Sequence, residues 1–115
     1  MNDNLSFEGE YLNGKRNGKG KEYYNDKLSF EGEYLNGLKN GKGKEYGGVN
    51  QIVFEGEYLN GIRNGKGKEY YNSGHMIFEG EYLNGKINGK VKEYNKNGKL
   101  IFEGEYLNGE KISSN

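Results

Sequence analysis

The chain of 115 residues contains no cysteine, no proline and no tryptophan, and His75 is its only histidine. Without cysteine there are no disulfides, no thiol nucleophile and no thiolate metal site, and a reducing compartment is permitted. Charge of one sign is also missing: 17 basic and 17 acidic side chains cancel. That balance removes the pull toward phosphate backbones on which nucleic-acid binding depends, and argues against it. Apolar residues make up only 31% of the chain, well below the roughly 45–50% of an ordinary globular domain, so a thick core is excluded. No apolar run is long enough to cross a membrane or serve as a signal peptide. Position 2 is not the glycine that myristoylation needs, and a prenylated cysteine is absent. The expected location is cytoplasmic, with a place at the edge of a membrane as the second reading.

What is present is glycine, 21 residues, with 11 tyrosines and 5 phenylalanines. They recur in a fixed order. The string Phe-Glu-Gly-Glu-Tyr-Leu-Asn-Gly begins at Phe7, Phe30, Phe54, Phe78 and Phe102. In four units a second string, Asn-Gly-Lys-(Gly or Val)-Lys-Glu-Tyr, ends at Tyr23, Tyr46, Tyr70 and Tyr94, whereas the fifth unit stops short. Each string is too short and too rich in glycine for a helix, and its apolar positions alternate as in a strand. Asn-Gly dipeptides between the strings supply positive-φ positions for reversals. The expectation is therefore an all-β antiparallel meander of about nine strands, a single domain over residues 1–115, roughly 40 Å long at the usual strand spacing.

Charges suggest a register within the first hairpin. Pairing Leu12 with Lys19 places Tyr11 opposite Gly20 and Glu10 opposite Lys21, and a slip of one residue either way sets Glu against Glu, which is unfavourable. Phe7, Gly9, Tyr11 and Gly20 then share one face, with rings filling the space over bare glycines. The other face carries Glu8, Glu10, Lys19 and Lys21 as cross-strand ion pairs. Glu22 is the misfit, falling among the rings while Tyr23 falls among the charges; a bulge near Lys21-Glu22 is expected to return Tyr23 to the rings.

These units resemble membrane occupation and recognition nexus (MORN) repeats, through Phe7, Gly9, Tyr11, Gly14, Gly18 and Gly20 in the first copy and Phe30, Gly32, Tyr34, Gly37, Gly41 and Gly43 in the second. The resemblance covers residues 7 to 109. Two departures stand out: the closing aromatic comes one residue late, after Glu22, Glu45, Glu69 and Glu93, and Val91 replaces a glycine. The resemblance implies an elongated, twisted single-layer sheet of consecutive hairpins that serves as a binding or spacing module. Similar repeats flank enzymes, lipid kinases and a lysine methyltransferase among them, without supplying catalytic residues. The family's name implies lipid contact, while protein–protein scaffolding is the more general inheritance.

Candidate chemistry reduces to surfaces. Gly9-x-x-x-x-Gly14-Lys15 and Gly80-x-x-x-x-Gly85-Lys86 imitate phosphate loops, but neither is followed by Ser or Thr nor opens a helix. The carboxylate pairs Glu8/Glu10 through Glu103/Glu105 repeat one environment five times, whereas an acid–base dyad needs two different ones. No enzyme activity, cofactor, metal site or small-molecule substrate is expected. The candidate contact aromatics are Tyr23, Tyr24, Tyr46, Tyr70, Tyr71 and Tyr94, with the Phe and Tyr stripe lining the concave side of the sheet as a thin core. A basic ridge of Lys15, Arg16, Lys19, Lys39, Lys42, Arg63, Lys66, Lys86 and Lys90 is the candidate for anionic headgroups. The leading expectation is a non-catalytic scaffold that binds a protein partner or itself through the aromatic face and sheet edges, with homodimerisation through residues 102–112; the alternative is a peripheral membrane adaptor.

Overall fold

A computed structural model describes residues 4–114, which form one open antiparallel sheet with no helix. Its strands are β1 (Leu5–Leu12), β2 (Lys15–Tyr24), β3 (Lys27–Leu35), β4 (Leu38–Tyr46), β5 (Ile52–Leu59), β6 (Ile62–Tyr70), β7 (Met76–Leu83), β8 (Lys86–Tyr94), β9 (Leu100–Leu107) and β10 (Glu110–Ser114). Spatial order equals chain order, so every neighbour is a hairpin partner. The described residues thus hold ten strands rather than about nine. The tenth is the short second strand of the fifth unit, which pairs with β9 although its string departs from the pattern. The molecule measures 47 × 27 × 24 Å.

The turns follow from Asn-Gly chemistry. Asn13 and Gly14 have φ of 53° and 81°, both positive as the favoured two-residue hairpin turn requires. Asn36-Gly37, Asn60-Gly61, Asn84-Gly85 and Asn108-Gly109 repeat this geometry. The second Asn-Gly of each unit is not a turn. Gly18 has φ 98° within β2, and the Oδ1 of Asn17 accepts the N–H of Asn36 in the next hairpin at 3.1 Å. Asn40, Asn64 and Asn88 hold the following turns in the same way.

This corrects the register expected within the first hairpin. Leu12 pairs with Lys15 and Tyr11 with Arg16, while Gly9 pairs with Gly20 and Glu8 with Lys21. Between those two stretches Glu10 faces Asn17, Gly18 and Lys19 of β2, a special bulge of three residues against one. Its carboxylate fills the gap by accepting the N–H of Lys19 at 2.9 Å. Among unbroken registers only the unslipped one avoids setting Glu against Glu, and the bulge avoids the same clash by another route. A second irregularity lies between Glu22 and Tyr23 in the pairing of β2 with β3. It does not bring Tyr23 to the rings: the Tyr23 hydroxyl donates to Glu8 on the charged face, and Glu22 remains among the rings, where Tyr34 donates to it.

The core is one residue thick. Phe30, Tyr34, Phe54, Tyr58, Phe78, Tyr82 and Val91 are its buried members. Consecutive rings meet edge to face, as the charge distribution of π systems favours: Phe30 with Tyr58 at 5.4 Å and Phe54 with Tyr82 at 5.4 Å. Glycine is required beneath them, since a Cβ on Gly43 would stand 2.6 Å from the Phe30 ring and 3.0 Å from that of Tyr58.

Candidate functional site

The two faces of the sheet differ in what they leave open. On the ring face the polar groups are consumed internally. The Tyr34, Tyr58, Tyr82 and Tyr106 hydroxyls donate to Glu22, Glu45, Glu69 and Glu93. Arg16, Lys39, Arg63 and Lys111 lie over Phe7, Phe30, Phe54 and Phe102, at 4.0, 4.1, 3.8 and 4.4 Å from the ring centres. Arg63 also bridges Glu45 at 2.9 Å and Glu69 at 3.5 Å. Burial, and then the hydrogen bond to a carboxylate, raises the pKa of Tyr34, Tyr58 and Tyr82, and pushes that of Tyr106 up to about 12. Burial opposes the charged form of Glu45, yet the hydrogen bonds from Arg63 and Tyr58 prevail and its pKa is lowered.

The opposite face is hollow. A trough of about 1150 Å³ runs from β1 to β9, lined by Glu, Lys, Val91 and the glycine backbone. The concave side therefore carries charges and not the Phe and Tyr stripe expected there. Two cross-strand ladders alternate in sign along its length. One runs Glu8, Lys21, Glu31, Lys44, Glu55 and onward through Lys68, Glu79 and Lys92 to Glu103. In the other, Lys19 faces Glu33, Lys42 faces Glu57, Lys66 faces Glu81 and Lys90 faces Glu105.

Opposite charges are adjacent, but the carboxylates take other partners. Glu8, Glu31, Glu55 and Glu79 accept the hydroxyls of Tyr23, Tyr46, Tyr70 and Tyr94 at 3.1, 2.5, 2.5 and 2.8 Å. Glu10, Glu33 and Glu57 accept the backbone N–H of Lys19, Lys42 and Lys66 at 2.9, 2.8 and 2.9 Å. The ion pairs within 4.0 Å among the described residues involve Arg16, Arg63 and Lys111, and none of the eight trough lysines. The expected Glu–Lys pairs of the charged face thus occur as neighbours in the ladder and not as bonded pairs.

The candidate residues fall into separate groups. Tyr23, Tyr46, Tyr70 and Tyr94 form one row on the trough face, half-buried and tied to its carboxylates. Burial, then the bond to Glu31 and Glu55, pushes Tyr46 and Tyr70 up to about 12; for Tyr94 the bond to Glu79 comes first and burial second, and its pKa is also raised. Tyr24 is exposed at the end of β2, and Tyr71 donates its hydroxyl to the Tyr94 carbonyl at 3.1 Å. The basic ridge is divided between faces. Arg16, Lys39 and Arg63 cover rings on one side, Lys19, Lys42, Lys66 and Lys90 line the trough on the other, and Lys15 and Lys86 are exposed beside the turns. His75 sits in an exposed turn, its Nδ1 3.1 Å from the Ser73 hydroxyl.

Three groups escaped the sequence reading. Lys21, Lys44, Lys68 and Lys92 line the trough beside the named lysines. Glu22, Glu45, Glu69 and Glu93 tie the ring face together; their awkward place in the strand pattern was the available signal. Leu12, Leu35, Leu59 and Leu83, with Leu38 and Ile62, remain 47–57% exposed in a row beside the turns. The identical position of the four leucines Leu12, Leu35, Leu59 and Leu83 in their units is visible in the sequence.

Among comparisons with known proteins, the MORN repeat family matches residues 7–29, 30–49, 54–76 and 78–99. The fifth copy lies outside those segments, though β9 and β10 repeat the hairpin. No curated protein matches the chain.

Proposed function

Because the chain belongs to the MORN-repeat family, whose repeats build scaffolds, we propose that this scaffold holds an extended polypeptide segment in its trough and takes no part in catalysis. The observation that carries the reading is the continuity of the trough across nine strands, set against a ring face whose hydroxyls and cations already have internal partners. A ligand needs polar groups that are still unpaired and a concave place to shed water. The trough offers both. In selection from a library of random peptides on the immobilised chain, bound sequences should lose affinity when Lys44→Glu and Lys68→Glu are combined, and keep it when Lys15→Glu and Lys86→Glu are combined. Recovery of no peptide, or equal binding by both variants, defeats the proposal.

The row of exposed leucines and isoleucine beside Lys15 and Lys86 supports a second reading, attachment to an anionic membrane surface through the hairpin tips. Flotation with phosphoinositide-containing vesicles at low salt separates the two. Co-migration that is lost in Leu35→Ser with Leu59→Ser favours the membrane, and no co-migration removes it.

A further inference from the structure

We propose that the segment held in the trough is acidic and adopts the polyproline II conformation, with a carboxylate at every third residue. This rests on the reading of the trough as a polypeptide site and specifies its ligand.

The trough leaves its cations unbound. Six of its eight carboxylates are engaged from within, four by tyrosine hydroxyls and two by backbone N–H groups. The eight lysines between them are all exposed, with no ion pair within 4.0 Å among the described residues. Every ammonium group faces the solvent, while six of the eight carboxylates already hold one internal donor each on Oε1. A chain with carboxylates of its own is the complementary occupant, and it gains charge-assisted hydrogen bonds at contact. Because the trough's carboxylates equal its ammonium groups in number, the attraction acts at short range and depends on geometry.

The spacing of the lysines selects the conformation. Equivalent lysines recur at every second strand, about 9.6 Å apart. A polyproline II helix advances about 9.3 Å in three residues and brings each third side chain back to the same face. Over the three intervals that separate four lysines, the mismatch grows to only about 1 Å, less than the reach of a lysine stem. An extended β-strand alternates its faces, so like-facing residues fall about 6.6 Å apart and lose step within one repeat. An α-helix needs seven residues and about 10.5 Å for the same return, in a cylinder about 10–12 Å wide.

The flanks suit the same ligand. The polyproline II conformation is recognised by rows of aromatic rings, and Tyr23, Tyr46, Tyr70 and Tyr94 form such a row on the trough face. Bonding of their hydroxyls to trough carboxylates fixes the rings in place. The remaining two residues of each triplet then meet rings on one side and aliphatic side chains beside the turns on the other.

The test uses the intact chain and peptides of about 12 residues, the length that spans four repeats. Four copies of Pro-Pro-Glu should bind at least about tenfold more tightly than a scrambled peptide of the same composition and than four copies of Pro-Pro-Lys. Binding should weaken by at least about tenfold in Lys44→Gln with Lys68→Gln, checked for an unchanged circular dichroism spectrum, and should be unaffected by Lys15→Gln with Lys86→Gln. Equal affinity for the scrambled or the lysine peptide overturns the proposal. An extended peptide alternating Glu and Thr distinguishes the two levels. If it binds and Pro-Pro-Glu does not, the conformation is wrong and the polypeptide reading survives; if neither binds and the library also fails, both fall.

Discussion

Gly43 and Gly37 are both indispensable, for opposite reasons. Gly43 lies under two rings, which a methyl group would have to displace; Gly37 has open space around it but a φ of 89°, where a Cβ strains the backbone. Gly43→Ala is expected to cost about 1–3 kcal/mol by overpacking, and Gly37→Ala about 1–2 kcal/mol by strain, both measured by urea denaturation. A relaxed variant, Phe30→Leu with Gly43→Ala, should recover part of the first loss, and the partner change Phe30→Leu should recover none of the second. The tyrosines give a pH test. Unfolded tyrosine ionises near about 10, while Tyr46, Tyr70 and Tyr106 are pushed up to about 12 and Tyr34, Tyr58 and Tyr82 are also raised. A raised folded pKa stabilises fully below the unfolded value, and that contribution fades as pH climbs through the folded one. Stability should hold up to about pH 10 and fall between there and about 12, with phenolate absorbance and loss of sheet signal appearing together. Gradual ionisation with the sheet intact contradicts the hydroxyl–carboxylate bonds. At this scale the sequence was readable where sterics decide, as in rings seated over glycines, and opaque where a side chain has a choice of partners: nothing in the alternation tells that Glu8 turns to Tyr23 instead of Lys21.

The hairpin itself was legible from its Asn-Gly turn, but the register was not, because the bulge opposite Glu10 depends on a side chain accepting a backbone N–H across the strand. The departure at Val91 was visible and its meaning was not. In the fourth unit Val91 occupies the position of Gly43, and Ile87 that of the ring-covering Lys39 and Arg63; Phe78 and Tyr106 stand 6.5 Å apart, against 5.2–5.4 Å for the other such pairs. An aliphatic pair has replaced glycine and a cation. Val91→Gly alone should destabilise by about 1–3 kcal/mol through the cavity it leaves, and adding Ile87→Lys should restore about 0.5–1 kcal/mol as the cation covers Phe78. A double-mutant cycle by thermal or urea unfolding checks the coupling; strict additivity would refute the replacement.

Across the whole molecule, open single-layer architecture and length were foreseeable from the repeat and strand spacing, whereas the side on which the sheet hollows was not: curvature comes from irregularities between strands, and no residue pattern alone fixes its sense. The described sheet ends in a free edge at β10. The carbonyls of Arg16, Lys39, Arg63 and Ile87 each accept a turn-glycine N–H from the next hairpin at 2.8–2.9 Å, and Lys111 stands at the corresponding place on that edge. Pairing of β10 with β1 of a second copy is the proposed route to self-association. Ile112 replaces the asparagine that clamps each following turn, so such pairing should be weaker than any internal one. Sedimentation should show association that rises with concentration and weakens in Ile112→Pro; a single monomeric species at all concentrations contradicts it.

The clamp by which each asparagine holds the next turn has a further consequence. Since every hairpin is fastened to its successor by the same few bonds, whole units can be removed without disturbing phase, and the molecule behaves as a measuring stick graduated in steps of about 9.6 Å. Excision of residues 54–77 should leave a folded, shorter sheet whose preferred peptide loses three residues, so that repeat number would set the length of chain that is recognised.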